Sequence, residues 1–396
     1  MATKLFKPSP AIRNARCLLA TSVAVLITCT VTVGCSSGGT SVSPANDPLP
    51  VAADLDDVLT SAVSEFGFAG AIAGIWTPQG TWVGSVGTAS VDSDDAITPH
   101  HHTRIGSITK TFTGTLLLQE VAKGTMSLSD PIEKYVPGLP NGDSVTLRDL
   151  AQMTSGIPSY TTQMPFLLDH YQDVDRSFTA EELLDYVRDT EPLFPAGSAF
   201  DYSNSNTVAL GMAIERASGR SLDDLIAEQI TGPLGMGDTS WPGLSPEIPA
   251  PFLSGQTTEG LPEGTRKDAT KWNPSWGNAA GEMISTLDDL RIWGRALGTG
   301  EGILDPQSHR LRTASFVENL DIAGNSPDAV YGLGVGLIDG WIGHTGELAG
   351  YNTSVLHDPS TATTVVVVVN SNLPNDQGQN PAPTISERLR GVLAGT

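Results

Sequence analysis

Positive charge, cysteine and long apolar runs are all scarce in this sequence. Lysine and arginine together number 22 against 44 aspartates and glutamates, a formal charge of −22. A nucleic-acid reader needs a basic stripe, and none is present. The same balance disfavours polyanionic partners and suits an acidic, solvated surface. Three cysteines in 396 residues exclude a disulfide-rich scaffold. After residue 35 no apolar run approaches the roughly 20 residues needed to cross a bilayer, which excludes a polytopic membrane protein. The remaining composition is ordinary, 39% hydrophobic. It rules out wholesale disorder in a chain long enough for a large core and two lobes.

The first 34 residues read as an export signal, outside the fold. Lys4, Lys7, Arg13 and Arg16 form a basic start without any acid, and residues 17–34 (CLLATSVAVLITCTVTVG) form an apolar core. That core borders on the length of a membrane anchor, the alternative reading. The residues at its end favour the signal. Thr32-Val33-Gly34-Cys35, then Ser36-Ser37-Gly38-Gly39, resemble a bacterial lipobox, although Thr32 stands where an aliphatic residue is usual. The resemblance implies that Cys35 is lipidated and holds the protein on the outer face of the cell membrane. Cys17 and Cys29 lie inside the signal, so Cys35 is the lone mature cysteine, and lipidation gives it a purpose. Removing the signal takes away four positive charges and no acids, leaving 18 against 44, or −26. Residues 35–50 then form a Ser/Gly/Pro tether.

Beyond the tether, strand patterns sit at both ends and helical patterns in the middle. Residues 54–66 predict a helix. Residues 69–76 and 81–86, split by Pro78-Gln79-Gly80, predict a hairpin. The apolar residues of 107–123 cover more than one stripe, which predicts a helix buried on several sides. Further helices are expected at 146–154, 179–189, 205–218, 221–229, 286–297 and 384–394, with 240–280 irregular. Late strands are expected at 330–338, 341–343, 351–357 and 363–370. The run Val365 to Val369 is apolar on both faces, as in a sheet covered on both sides. The economical arrangement is an α/β (α+β) protein with one sheet built from both ends (about 51–105 and 326–395) and covered by the terminal helices. A helical lobe (about 106–325) is inserted, with a site at the seam.

Three short motifs carry chemistry. In Ser107-Ile108-Thr109-Lys110, the serine and lysine fall on one face of a helix, close enough to touch. Of seven lysines, Lys110 alone has a serine three residues before it. A serine is a poor nucleophile until a neighbour takes its proton, and a desolvated amine can do that. In Tyr202-Ser203-Asn204, a phenol can relay protons and an amide can bond both a substrate and the lysine. Capping of the 205–218 helix is the other reading of that triplet. In His344-Thr345-Gly346, a glycine on an edge strand lets a ligand approach the backbone, whose next N–H could serve an oxyanion. A hairpin turn with a bystander histidine is the plainer alternative.

In that order, in an exported chain, the three motifs resemble the serine β-lactamase/penicillin-binding family. The branch most alike holds class C β-lactamases, D-alanyl-D-alanine carboxypeptidases and related esterases. Arg104-Ile105-Gly106 and the stretches at 126–137, 146–157, 196–219 and 277–290 add to the likeness, which spans about 55–395. It implies a β-lactamase/transpeptidase-like fold and no metal or organic cofactor. Ser107 would be the acyl-forming nucleophile, Lys110 its activator and Tyr202 the proton carrier. Asn204 would bind the substrate amide, with His344, Thr345, Gly346 and Glu347 along the opposite wall. The N–H groups of Ser107 and Glu347 would form the oxyanion hole. The substrate would be a small molecule or cell-wall peptide. The resemblance leaves open a D-alanyl-D-alanine carboxypeptidase or β-lactamase-like hydrolase, an esterase with little peptidase activity, and a non-catalytic penicillin-binding lipoprotein. The intact Ser-Lys-Tyr-Asn set argues against the last.

The departures bear on substrate. Family members that cleave D-Ala-D-Ala or β-lactams hold a carboxylate, yet no Lys or Arg occurs between Arg312 and Arg388. His344 is neutral for much of its range near pH 7. Glu347, if its side chain faces the cleft, repels a carboxylate and suits a cationic or neutral substrate; on a strand it can equally point away. Other constellations carry less. His100-His101-His102 lack the spacing of a metal site. Gly34-Cys35-Ser36-Ser37-Gly38 matches a nucleophile elbow by chance. Trp272, Trp276 and Tyr351 line the cleft or pack loops.

Overall fold

The computed structural model describes residues 47–262, 264–317 and 329–395. The export signal and Cys35 lie outside these residues. The chain enters through helix α1 (Ala52–Phe66), which stops at Gly67 in the left-handed region, φ +63°. Next comes a hairpin of strands β1 (Gly70–Trp76) and β2 (Thr81–Gly87). Strand β3 (Thr103–Arg104) leads through a 3₁₀ turn, Gly106–Ile108, into α2 (Thr109–Lys123).

The middle of the chain is helical: α3 (Leu147–Ala151), α4 (Met164–Gln172), α5 (Ala180–Arg188), α6 (Asn204–Ser218), α7 (Leu222–Ile226) and α8 (Gly232–Leu234). Capping boxes start two of them, Thr146 with Asp149 and Thr179 with Glu182. Short strands β4 (Gln256–Thr257) and β5 (Lys267–Asp268) pair within the irregular stretch, and β6 (Ile284–Ser285) pairs with β3. Then come α9 (Leu287–Thr299), α10 (Pro306–Thr313), strands β7 (Ala329–Tyr331), β8 (Gly336–Ile338), β9 (Trp341–Leu348), β10 (Tyr351–Asp358) and β11 (Thr363–Val369), and α11 (Pro381–Ala394).

Seven of these strands form one antiparallel sheet in the order β2-β1-β11-β10-β9-β8-β7, so the N-terminal hairpin pairs with the last strand. The valine run of β11 explains how. Val365, Val367 and Val369 pack with Leu55, Leu59, Ile385 and Leu389 of α1 and α11. Val366 and Val368 point the other way, into the core that holds Phe112, Leu290 and Trp293. Period-two alternation turns one valine tract into part of two cores.

Three sequence expectations need correction. The span 330–338 is not one strand: Gly334, at φ +70°, turns the chain between β7 and β8, with its Cα against that of Gly114 in α2. Helices α4 and α10 were not anticipated. Helix α9, placed by sequence in the inserted lobe, lies instead on the sheet. Its close approach rests on glycine: a Cβ on Gly294 would sit 2.9 Å from Thr364 and 3.0 Å from Val355, and one on Gly298 would meet His357.

That contact can be tested in a direction opposite to helix propensity. On an exposed helix, leucine for glycine stabilises by roughly 1 kcal/mol. Gly294→Leu is expected to destabilise by about 1–3 kcal/mol through overpacking. A urea midpoint that rises in this variant would refute the close packing.

Candidate active site

Ser107 lies in the 3₁₀ turn that feeds α2, and this turn packs against β9. The approach is too close for side chains. A Cβ on Gly346 would lie 1.9 Å from the Ile105 carbonyl oxygen, and one on Gly106 would lie 2.5 Å from the Glu347 nitrogen. Gly106 also has φ +52°. Strand β9 is interior to the sheet, not an edge strand as the sequence suggested. However, β8 pairs only with residues 341–343, so from His344 onward one side of β9 is open. Backbone groups alternate sides in an antiparallel ladder. With Leu348 paired to Tyr351 at the β9–β10 turn, Thr345 and Glu347 direct their backbone groups away from β10, toward Ser107.

The Lys110 side chain is fully buried. Its Nζ lies 2.9 Å from Ser107 Oγ, 2.7 Å from Asn204 Oδ1 and 2.8 Å from the Ala280 carbonyl oxygen. No carboxylate is among these partners, and desolvation holds the amine well below the usual lysine range. The Tyr202 ring stands over the same amine, 4.8 Å from Nζ to the ring centroid. Partial enclosure in the cleft pushes the Tyr202 phenol up, and the Ser107 hydroxyl beside it pulls partly back.

Asn204 is the first residue of α6, and Ser203 before it makes no side-chain cap. The capping reading therefore fails, because the Asn204 amide serves the site instead. Its Oδ1 accepts from Lys110, its Nδ2 donates to Thr161 Oγ1, and its backbone N–H donates to Ser159 Oγ. The loop that carries these hydroxyls is fixed to α6: Ser155 Oγ donates to Asn206, and the Tyr160 N–H donates to Ser205 Oγ. Sequence reasoning missed Ser159, Thr161 and the Ala280 carbonyl.

His344 is buried on the far wall, with Nε2 3.1 Å from the Tyr331 hydroxyl and Nδ1 against the Thr345 carbonyl. Burial first, and then the Lys110 charge, press it down to about 4. Phe200, Tyr202, Val330, Tyr331 and Ile338 beside it enclose a small, mostly apolar pocket of about 150 Å³. The main cleft, about 380 Å³, is lined by Ser107, Thr161, Tyr202, Asn204, Glu259, Trp276, His344, Thr345, Glu347 and Leu348. Glu347 thus faces the cleft, and so does Glu259, which no sequence pattern singled out. Trp276 lines the cleft, whereas Trp272 lies against His170 and Tyr351 is buried with its hydroxyl on the Leu253 carbonyl. The three consecutive histidines go separate ways, to Asp288, Thr98 and Pro251.

A serine hydroxyl, a depressed amine and a phenol therefore meet beside an open strand edge. The family comparison agrees with that geometry, the Beta-lactamase family model matching residues 55–389. The chain belongs to the beta-lactamase family. Members of this family are serine hydrolases. Solved structures similar to it include a D-stereospecific amidohydrolase from Streptomyces sp., 29% identical with TM-score 0.75, covering 88% of this chain and 100% of that one. A D-amino acid amidase from Ochrobactrum anthropi SV3 is 27% identical with TM-score 0.75, covering 86% and 97%. Among curated relatives, D-alanyl-D-alanine-carboxypeptidase/endopeptidase AmpH of Escherichia coli is 36% identical over 143 residues, 35% of this chain and 36% of that protein. The matches cover 62% and 56% of the length of the first two curated relatives.

The His344 environment makes a direct prediction. Its NMR titration should have a midpoint near 4, so the ring is neutral from pH 6 to 8. Because the folded value lies below the unfolded one, this group penalises folding only as pH falls below about 6.5. A midpoint near 6.5 would contradict the buried placement.

Proposed function

We propose that the protein is an exported serine hydrolase that opens a small amide or ester through an acyl-enzyme on Ser107. The observation that carries this reading is the bonding of Lys110. Two carbonyl oxygens, of Asn204 and Ala280, accept from its amine. A neutral amine has two N–H groups and one lone pair. Ser107 Oγ is the third group on the amine, 2.9 Å away, so loss of a proton there turns the lone pair toward that hydroxyl while the other two N–H groups stay with the carbonyls.

In the first step Ser107 Oγ attacks the substrate carbonyl carbon and its proton passes to Lys110 Nζ. The N–H groups of Ser107 and Glu347 receive the developing oxyanion. Tyr202, kept as a phenol, gives its proton to the departing amine or alcohol and is reprotonated from Lys110. Asn204 and Thr345 hold the substrate amide, and neutral His344 and Gly346 shape the wall. Water enters where the leaving group stood, loses a proton through the same relay and frees Ser107.

The relatives named as amidohydrolase and amidase support an amide substrate with a small acyl part. A second reading, D-alanyl-D-alanine carboxypeptidase or β-lactamase activity in the class C branch, is favoured by the similarity to AmpH. Against it stands the cleft, where among the described residues no Lys or Arg lies beside Ser107 except Lys110. Ser107→Ala should abolish both p-nitrophenyl acetate hydrolysis and the mass gain from a fluorophosphonate probe. Lys110→Ala should lower turnover by about 10²–10⁴. Retained labelling in Ser107→Ala would overturn the assignment. Benzylpenicillin, tracked by intact mass, separates the two readings: a lasting or turned-over adduct on Ser107 favours the second.

The export signal and the Cys35 motif support a lipid anchor on the outer face of the cell membrane. Among the described residues no helix is long and apolar enough to cross a membrane. Cys35→Ala is expected to move the protein from the membrane fraction to the soluble fraction after expression in a bacterial host. Unchanged partition would point to an uncleaved apolar anchor.

A further inference from the structure

A substrate that reaches Ser107 must lie against the walls of its cleft, and two of the groups on those walls are carboxylates. Glu347 comes from the open end of β9, Glu259 from the irregular stretch after β4. They meet at one amide. Asn372 Nδ2 donates to Oε1 of Glu259 and, at 3.4 Å, to Oε1 of Glu347. The amide cannot turn round, because its Oδ1 accepts the Gly350 N–H at 3.0 Å. Asn380 Nδ2 donates to the other Glu347 oxygen at 2.7 Å, and the Tyr171 hydroxyl donates to the other Glu259 oxygen at 3.4 Å.

All these partners are neutral. Among the described residues no Lys, Arg or His nitrogen lies within 4 Å of either carboxylate. Partial enclosure and then the neighbouring Glu347 push Glu259 up to about 7, and enclosure raises Glu347 as well. Near pH 7 the pair thus carries at least part of a second negative charge, at a cost that a cation between the two carboxyl groups would relieve. The Trp276 side chain lines the same cleft and adds an aromatic group to that side. The other wall, around His344, has no formal charge near pH 7 and opens into the small apolar pocket. Charge is therefore segregated: negative on the Glu259–Glu347 side, neutral and apolar on the Tyr331 side.

We infer that Glu259 and Glu347 together bind a protonated amine of the substrate, so that the cleft selects amides or esters carrying an ammonium near the scissile carbonyl and rejects those carrying a carboxylate there. This assignment rests on the reading of Ser107 as the acylating residue only in where it places the amine.

The two can be tested apart. Binding is measured by calorimetry on the Ser107→Ala protein, which cannot turn substrate over. The probes are D-alaninamide, N-acetyl-D-alaninamide and N-succinyl-D-alaninamide at pH 7, one cationic, one neutral and one anionic. The ammonium compound should bind at least tenfold more tightly than the acetyl compound, and the succinyl compound most weakly. In Glu259→Gln and Glu347→Gln, each isosteric, the ratio of ammonium to acetyl affinity should fall about tenfold. The comparison of two ligands on one protein discounts any loss of folded fraction. Equal affinities, tighter binding of the acetyl or succinyl compound, or a ratio unchanged in both variants would overturn the inference. Hydrolysis of the same three compounds by protein with Ser107 intact then reports on the proposed chemistry. Discrimination without hydrolysis leaves the amine site standing and removes the hydrolase reading. Hydrolysis without discrimination does the reverse.

Discussion

The site depends on one amine kept dry without a counter-ion. Lys110 is bonded to a hydroxyl and two carbonyl oxygens that belong to three separate stretches of chain: the turn before α2, the start of α6 and the loop before β6. Burying an ammonium with a carboxylate would have stabilised its charge and kept the proton on it. Burying it with neutral acceptors lowers the affinity for a proton and fixes where the lone pair points. The aligned loops, the glycine contacts of Gly106 and Gly346, and the hydroxyls of Ser159 and Thr161 serve to hold that arrangement within ångström tolerance.

Catalytic geometry and substrate electrostatics are supplied by different parts of the molecule. Ser107 and Lys110 share one helix entrance, so their spacing is local and written in four residues. The carboxylate pair is assembled from the stretch after β4, from β9, and from the amides of Asn372 and Asn380 beyond β11. Such a division lets the reactive core stay constant while the walls change the charge of what is admitted. It also explains why fold and family membership leave substrate choice to individual side chains.

Legibility in the sequence obeyed the same division. Ser107 with Lys110, and Tyr202 with Asn204, could be read because each pair is close in sequence. The sheet built from both ends was visible in the valine run, whose apolar residues on both faces match the two cores. Four kinds of feature escaped. The Ala280 carbonyl is a backbone group that any residue would provide. Glu259 lies in an aperiodic stretch, where nothing ties it to Glu347 until the chain is folded. Helix α10 is mostly polar, and it is held partly through Arg312, whose buried guanidinium reaches Thr115. The break between β7 and β8 combines a local turn, Gly334 at positive φ, with a tertiary demand, the contact of Gly334 with Gly114.

The pairing of β1 with β11 has a consequence for the order of folding. Ala71 sits opposite Val369, a separation of 298 residues. A contact of that span closes a very long loop, so it forms slowly and late. During synthesis the β1–β2 hairpin must wait, its inner edge unpaired, until the whole helical middle and four later strands have emerged. The strand that completes the sheet enters near its centre, so neither half of the sheet is finished without it. A chain arrested before β11 would expose the apolar faces of both cores at once, which makes the unfinished chain prone to aggregate.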